Sequence, residues 1–229
     1  MKSYRIDPAH ITLEEFRELI AEKEMLPGRL MLQERMEEHF TVLKESGMRH
    51  LGDLLGFLSS KAKIREYSKK SGLHPDYLVL LRREAGSYLS RPVPLSDFPG
   101  IPFEYIELLR SRQLKHTRDF FEKVQSEKQQ TDLSASTGIP VYRLKEIFSL
   151  SDLSRITGVG GIFARVLYEA GIRSAEAYAS GNASRMLERC RTVMEKHGYP
   201  SGKLGEKDMQ YGINYARVVV AQDQKPEKK

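Results

Sequence analysis

Apolar positions along this chain recur three and four residues apart, the spacing of one face of a helix. Leu13, Phe16, Leu19 and Ile20 share such a face, and Thr12-Leu13-Glu14-Glu15 in front of it reads as a capping box. Pro27-Gly28 ends that helix. A second, longer one is predicted through Leu30, Met36, Phe40 and Leu43, with Gly47 as the residue beyond its end. A short helix follows from about His50 to Leu58, then a basic one through Ile64 and Tyr67. Ser71-Gly72-Leu73 breaks the chain, and Pro75 is placed to start the next helix, where its missing N–H costs nothing. The Pro92 and Pro94 region reads as a connector, and two further helices are predicted at about 184–196 and 206–219. No alternating strand occurs. The expected fold class is all-α.

The pattern repeats. At a shift of 66 residues, Phe40, Leu43 and Met48 correspond to Ile106, Leu109 and Leu114, and Gly72-Leu73 to Gly138-Ile139. A second correspondence runs at 58, carrying Phe98, Gly100, Ile101 and Leu109 to Ile156, Gly158, Val159 and Leu167. Four related turns result: Ser71-Gly72-Leu73, Pro99-Gly100-Ile101, Thr137-Gly138-Ile139 and Thr157-Gly158-Val159. The last is the fullest, sitting in Leu-x-x-Ile-x-Gly-Val-Gly-x-x-x-Ala-x-x-Leu from Leu153 to Leu167. Glycine there permits a sharp reversal, and Ala164 is small where one helix must pass close to another.

That stretch resembles the helix-hairpin-helix motif, whose usual family role is sequence-independent gripping of nucleic-acid backbone. The chain as a whole then resembles tandem helix-hairpin-helix repeats, two doubled modules with an N-terminal helical extension. The expected boundaries are 1–28 for the extension, 29–116 and 117–221 for the two modules, and 222–229 for a disordered tail. Thr137-Gly138-Ile139, Asp152 to Gly160 and Ala170-Gly171-Ile172 are similar to an uncharacterised family, the domain-of-unknown-function family 4332.

Charge adds a little to this picture. The formal net charge is +6, which fits a polyanionic partner without requiring one. Residues 1–150 hold 24 Lys and Arg against 22 Asp and Glu, and residues 151–229 hold 13 against 9, so the excess gathers around the Gly-Val-Gly segment. The single cysteine, Cys190, excludes an internal disulfide, and with no apolar signal core and no 18-residue apolar run the chain is expected to be cytoplasmic, with no membrane partner.

Successive backbone amides at a glycine turn that opens a helix form a small positive concavity suited to a phosphate oxygen. Thr157, Gly158, Val159, Gly160 and Gly161 are therefore the candidate nucleic-acid-binding residues, with Arg155, Arg165 and Arg173 as added phosphate contacts. The expected ligand is duplex or branched nucleic acid, bound weakly and without sequence preference. The other turns suit it less: Pro75, Pro102 and Pro140 each remove a donor, and Glu104 adds a carboxylate. Ile162 and Phe163 stand where gripping hairpins carry polar residues, and they support the competing expectation of a scaffold that docks a protein partner. No catalytic residue, metal ligand or cofactor site is predicted. The six histidines lack metal-ligand spacing, and Gly158-Val159-Gly160-Gly161 lacks the Gly-Lys-Ser/Thr of a nucleotide loop.

Overall fold

A computed structural model of the chain describes residues 2–25, 27–200 and 204–225. Those residues form helices and turns with no strand, as the apolar spacing predicts; two isolated bridges join Thr12 to His50 and Pro94 to His116. The chain divides into two compact units, one of Ile6–Leu89 and the other of Ser90 onward together with the first five residues. The division differs from the expected one. Of the segment expected as a separate extension, residues 6–28 fall in the first unit and residues 1–5 in the second, and the division lies between Leu89 and Ser90, with residues on both sides of 116 in one unit.

In the first unit α1 is Leu13–Ala21, α2 Met36–Glu45, α3 Leu51–Phe57, α4 Lys61–Ser71 and α5 Pro75–Ser87. The capping box at Thr12 forms as read: its hydroxyl accepts from the Glu15 amide at 3.1 Å, and the Glu15 carboxylate accepts from the Thr12 amide at 2.7 Å. Phe16, Phe40 and Tyr88 meet in the core, Phe16 edge-on to Tyr88 at 5.9 Å. The long second helix expected from Leu30 is instead a 3₁₀ turn, Pro27–Leu32, followed by α2. The break lies at Arg35, whose φ of 46° is left-handed. Glu84 is fully buried and held by Lys23 Nζ at 2.6 Å and Arg29 Nη1 at 2.5 Å, so its charge is paired on both sides.

In the second unit a 3₁₀ turn, Leu95–Asp97, precedes α6 Phe103–Ser111, α7 Thr117–Lys123, α8 Glu127–Thr137 and α9 Val141–Leu153. Then come α10 Gly161–Glu169, α11 Ala175–Ala179, α12 Ala183–His197 and α13 Glu206–Gln224. The helix α13 crosses α11 at Gly212, where a Cβ would stand 2.1 Å from the Tyr178 hydroxyl; only glycine admits that approach. It also overruns the expected tail, since residues 222–224 are helical. The rest of that tail, residues 226–229, lies outside the described residues.

Element boundaries recur along the sequence. The ranges of α3, α4 and α5, advanced by 66 at both ends, are those of α7, α8 and α9, and α6 advanced by 58 is α10. The turns after α2, α6 and α10 place Gly47, Gln113 and Gly171 at φ of 89°, 62° and 80°. In each the next amide reaches back to Leu43, Leu109 or Leu167, the bond that closes a helix with a left-handed residue. His50 and His116 open α3 and α7 in the same way, each with an acid three residues on, Asp53 or Asp119, accepting from its amide.

The second unit is tied at its end by Asp223. Its carboxylate takes Arg155 Nη1 at 3.0 Å and also Arg155 Nη2, both partners being nearly buried. Removing one member of a buried ion pair leaves a charge uncompensated. Asp223→Ala is expected to cost about 3 kcal/mol, read as a lower urea midpoint, and truncation after Ala221 should cost at least as much.

Candidate functional site at the Gly158–Gly161 turn

The turn between α9 and α10 is built from its apolar positions. Leu153, Ile156, Val159, Ala164 and Leu167 are all buried, which fixes both helix ends against one core. Between them the Arg155 and Ile156 amides donate to Asp152 and Leu153, tightening the chain, and Gly158 turns it with φ 87°. The helix α10 then starts at Gly161, and Gly160 before it offers no side-chain cap.

The amide concavity expected here is only partly open. The Val159 amide donates to the Ile156 carbonyl at 3.0 Å, so it is already used. Gly161 is buried, and a Cβ on it would stand 2.3 Å from the Asp97 carbonyl oxygen; its lack of a side chain serves close packing against the 3₁₀ turn. Gly158 and Gly160 are exposed, and Thr157 is half-buried. Two of the five backbone positions are thus spent on the fold.

The arginines disperse. Arg155 is 2% exposed. Besides Asp223 it pairs with Asp152 at 2.8 Å, its Nε donates to the Tyr4 carbonyl at 3.4 Å, and its guanidinium lies 4.6 Å from the centre of the Phe121 ring. The other Asp152 oxygen accepts the Ala175 amide at 2.7 Å, where α11 begins. Burial pushes the Asp152 carboxyl upward against the pull of Arg155, whereas the guanidinium, flanked by two carboxylates, stays charged. Arg165 is 4% exposed and donates to Glu146, which also takes Arg143 at 2.7 Å. Neither Arg155 nor Arg165 is available to a phosphate, which corrects their expected role. Each neutralises a carboxylate inside the unit, a need that nearness to a glycine turn conceals. Arg173 is exposed and lies over the Tyr168 ring at 5.0 Å. It follows the far end of α10, about 13 Å of helix from the turn.

What adjoins the turn is an open groove of about 570 Å³. Thr157, Gly158 and Val159 form one rim, and Phe163, Met194, Tyr211 and Tyr215 line it. Among the described residues its one charged lining group is Asp208, whose carboxylate caps α13 by accepting the Gly205 amide at 2.8 Å. Ile162, beside Phe163 on the first turn of α10, is 46% exposed. The turn and its aromatic wall are about fifty residues apart in sequence. The spacing of Asp208, Tyr211 and Tyr215 on one helical face is the signal that would have joined them.

Among the described residues no group of His, Cys, Asp and Glu could hold a metal ion, and no helix is long and apolar enough to cross a membrane. Cys190 is fully buried, and burial pushes its thiol up to about 11. A thiol so placed is protonated at neutral pH and inert.

Residues 99–200 match the family described as Domain of unknown function (DUF4332), which bears out the resemblance read from the glycine turns of that segment. No curated protein and no solved structure matches the chain.

Two outcomes follow for measurement. Gly161→Ala should destabilise by about 2–3 kcal/mol through the Asp97 clash. Gly158→Ala should cost about 1–2 kcal/mol for its left-handed backbone, and Gly160→Ser, a better cap, should be neutral or slightly stabilising; urea denaturation ranks the three. Cys190 should resist a disulfide exchange reagent at pH 7 in the folded chain and react fully once urea unfolds it.

Proposed function

We propose that this chain is a non-enzymatic interaction module of the tandem helix-hairpin-helix type. It docks a segment of a partner protein through the first turn of α10 and the groove beside it. The observation that carries this reading is the chemistry around the turn: an exposed Ile162, the Phe163 and tyrosine wall, and a carboxylate in place of a cation. An apolar patch with one charge favours a segment of apolar side chains bearing a lysine or arginine, which Asp208 attracts and the aromatic faces can stack against. The same carboxylate repels a phosphate. Nucleic-acid gripping at Thr157–Gly161 is the weaker reading, because it needs arginines gathered at the turn, and Arg155 and Arg165 are buried while Arg173 is remote.

Selection of displayed peptides on the immobilised full chain tests the proposal. Basic peptides with apolar anchors are the expected class, and their Kd should rise at least tenfold in Phe163→Asp and Asp208→Asn. Selected peptides without basic residues, or binding unchanged in both variants, would overturn it. Fluorescence anisotropy with duplex DNA at low salt supplies the opposite arm: binding that Gly160→Glu abolishes and Phe163→Asp spares would establish the gripping role instead.

A further inference from the structure

The most basic exposed helix lies in the first unit, far in sequence from the glycine turn. Lys61, Lys63, Arg65, Lys69 and Lys70 of α4 are all exposed, against one acid, Glu66. Among the described residues none of the five lies within ion-pair distance of a carboxylate. The helix buries Ile64 and Tyr67, and its cations fall in two rows: Lys61, Arg65 and Lys69 four residues apart, and Lys63 and Lys70 seven apart. Each row faces solvent on its own side of the helix.

The second row borders a groove of about 580 Å³ between α3 and α4. Gly56 leaves it open, a Cβ there meeting nothing within 4 Å, and Lys63, Glu66 and Lys70 of α4 line it together with Phe57. Phe57 is 43% exposed and held edge-on by Tyr67 at 6.1 Å, whose hydroxyl donates to Ser46 at 2.8 Å. An aromatic side chain at the mouth of a groove lined by Lys63, Lys70, Asp53 and Glu66 is a costly exposure for a core residue. Asp53, also in the lining, accepts the Arg49 and His50 amides at 2.8 and 3.0 Å, which hold its carboxyl below the usual range.

The fold does not require this chemistry. The helix α8 occupies the matching range 66 residues on, and there Glu127, Gln129, Thr131, Ala135 and Ser136 replace the five cations. Glu122 and Lys123 replace Gly56 and Phe57. Helix length, capping serine and left-handed glycine are the same in both. The basic rows, Gly56 and Phe57 are therefore particular to α3 and α4.

We propose that this face binds single-stranded nucleic acid, the cations of α4 following the phosphates while Phe57 stacks on an unpaired base in the groove. Stacking platforms beside a cationic track are the general means of holding single strands without reading sequence. A duplex keeps its bases stacked and offers Phe57 nothing. An anionic membrane would need an apolar helix face to insert, and the apolar face of α4 is spent on the core.

Anisotropy of a labelled fifteen-nucleotide oligo(dT) or oligo(U) with the full chain tests this. Binding at 50 mM salt is expected, weakening with a log–log slope of about −2 to −3 if three or four phosphates are neutralised. Phe57→Ala should weaken it about tenfold, and the pair Lys63→Glu and Lys70→Glu more than tenfold. Circular dichroism verifies that these exposed changes leave the chain folded. A second variant gives α4 the residues of α8 at its five cationic positions, and it should bind no oligonucleotide while remaining helical. The proposal is overturned by absence of binding at 50 mM salt, by binding unchanged in Phe57→Ala, by tighter binding of a duplex of equal length, or by equal retention on phosphatidylserine vesicles or polyglutamate.

Discussion

Helices of seven to thirteen residues do not persist alone in water, because each end leaves backbone groups unsatisfied and nucleation is costly. Most helices of this chain fall in that range. The structure therefore depends on how their ends are closed. Left-handed residues at Gly47, Gln113 and Gly171, and at Gly72, Gly138 and Gly198, supply the carbonyl caps. At the other ends Thr12, Ser60, Ser126, Ser174 and Asn182 hold the first amides. Burial of one apolar stripe per helix then becomes sufficient. The recurrence of the same closures at fixed intervals explains why the helix ranges themselves recur.

This is also why so much of the fold was legible in the sequence. Capping residues, glycines and prolines carry their meaning locally, so Thr12, Gly47, Gly72 and Pro75 mark real boundaries. Arg35 does not, since nothing in an arginine announces a left-handed backbone, and the second helix was consequently read as too long. The division into compact units differs from the expected bounds for a related reason. Repeats in sequence need not coincide with compact units, and α6 and α7 fall in one although 116 separates them.

The candidate site was harder to read than the fold. Its glycines were recognisable, but glycine serves a ligand's approach and a neighbour's packing alike, and Gly161 turned out to serve Asp97. An arginine near such a turn suggests a phosphate until its carboxylates are located. For Arg155 one of these was visible three residues back at Asp152; the other, Asp223, stood in what composition marked as tail. Burying that guanidinium beside Phe121 with two acids removes a positive charge from the surface. The chain's basic excess is thereby a poor guide to where its exposed cations lie.

The first residues belong to the second unit, although the eighty-odd that follow them form the first. Tyr4 accepts from Thr117 at 2.7 Å and donates to the Ser154 carbonyl at 3.0 Å, while Lys2 lies 3.4 Å from Asp223. The second unit is therefore discontinuous in sequence: Tyr4 reaches Thr117 and Ser154, and Lys2 reaches Asp223, across the whole of residues 6–89. A substitution at Lys2 or Tyr4 would accordingly be felt in the core of the second unit rather than in the helices that directly follow those residues in sequence.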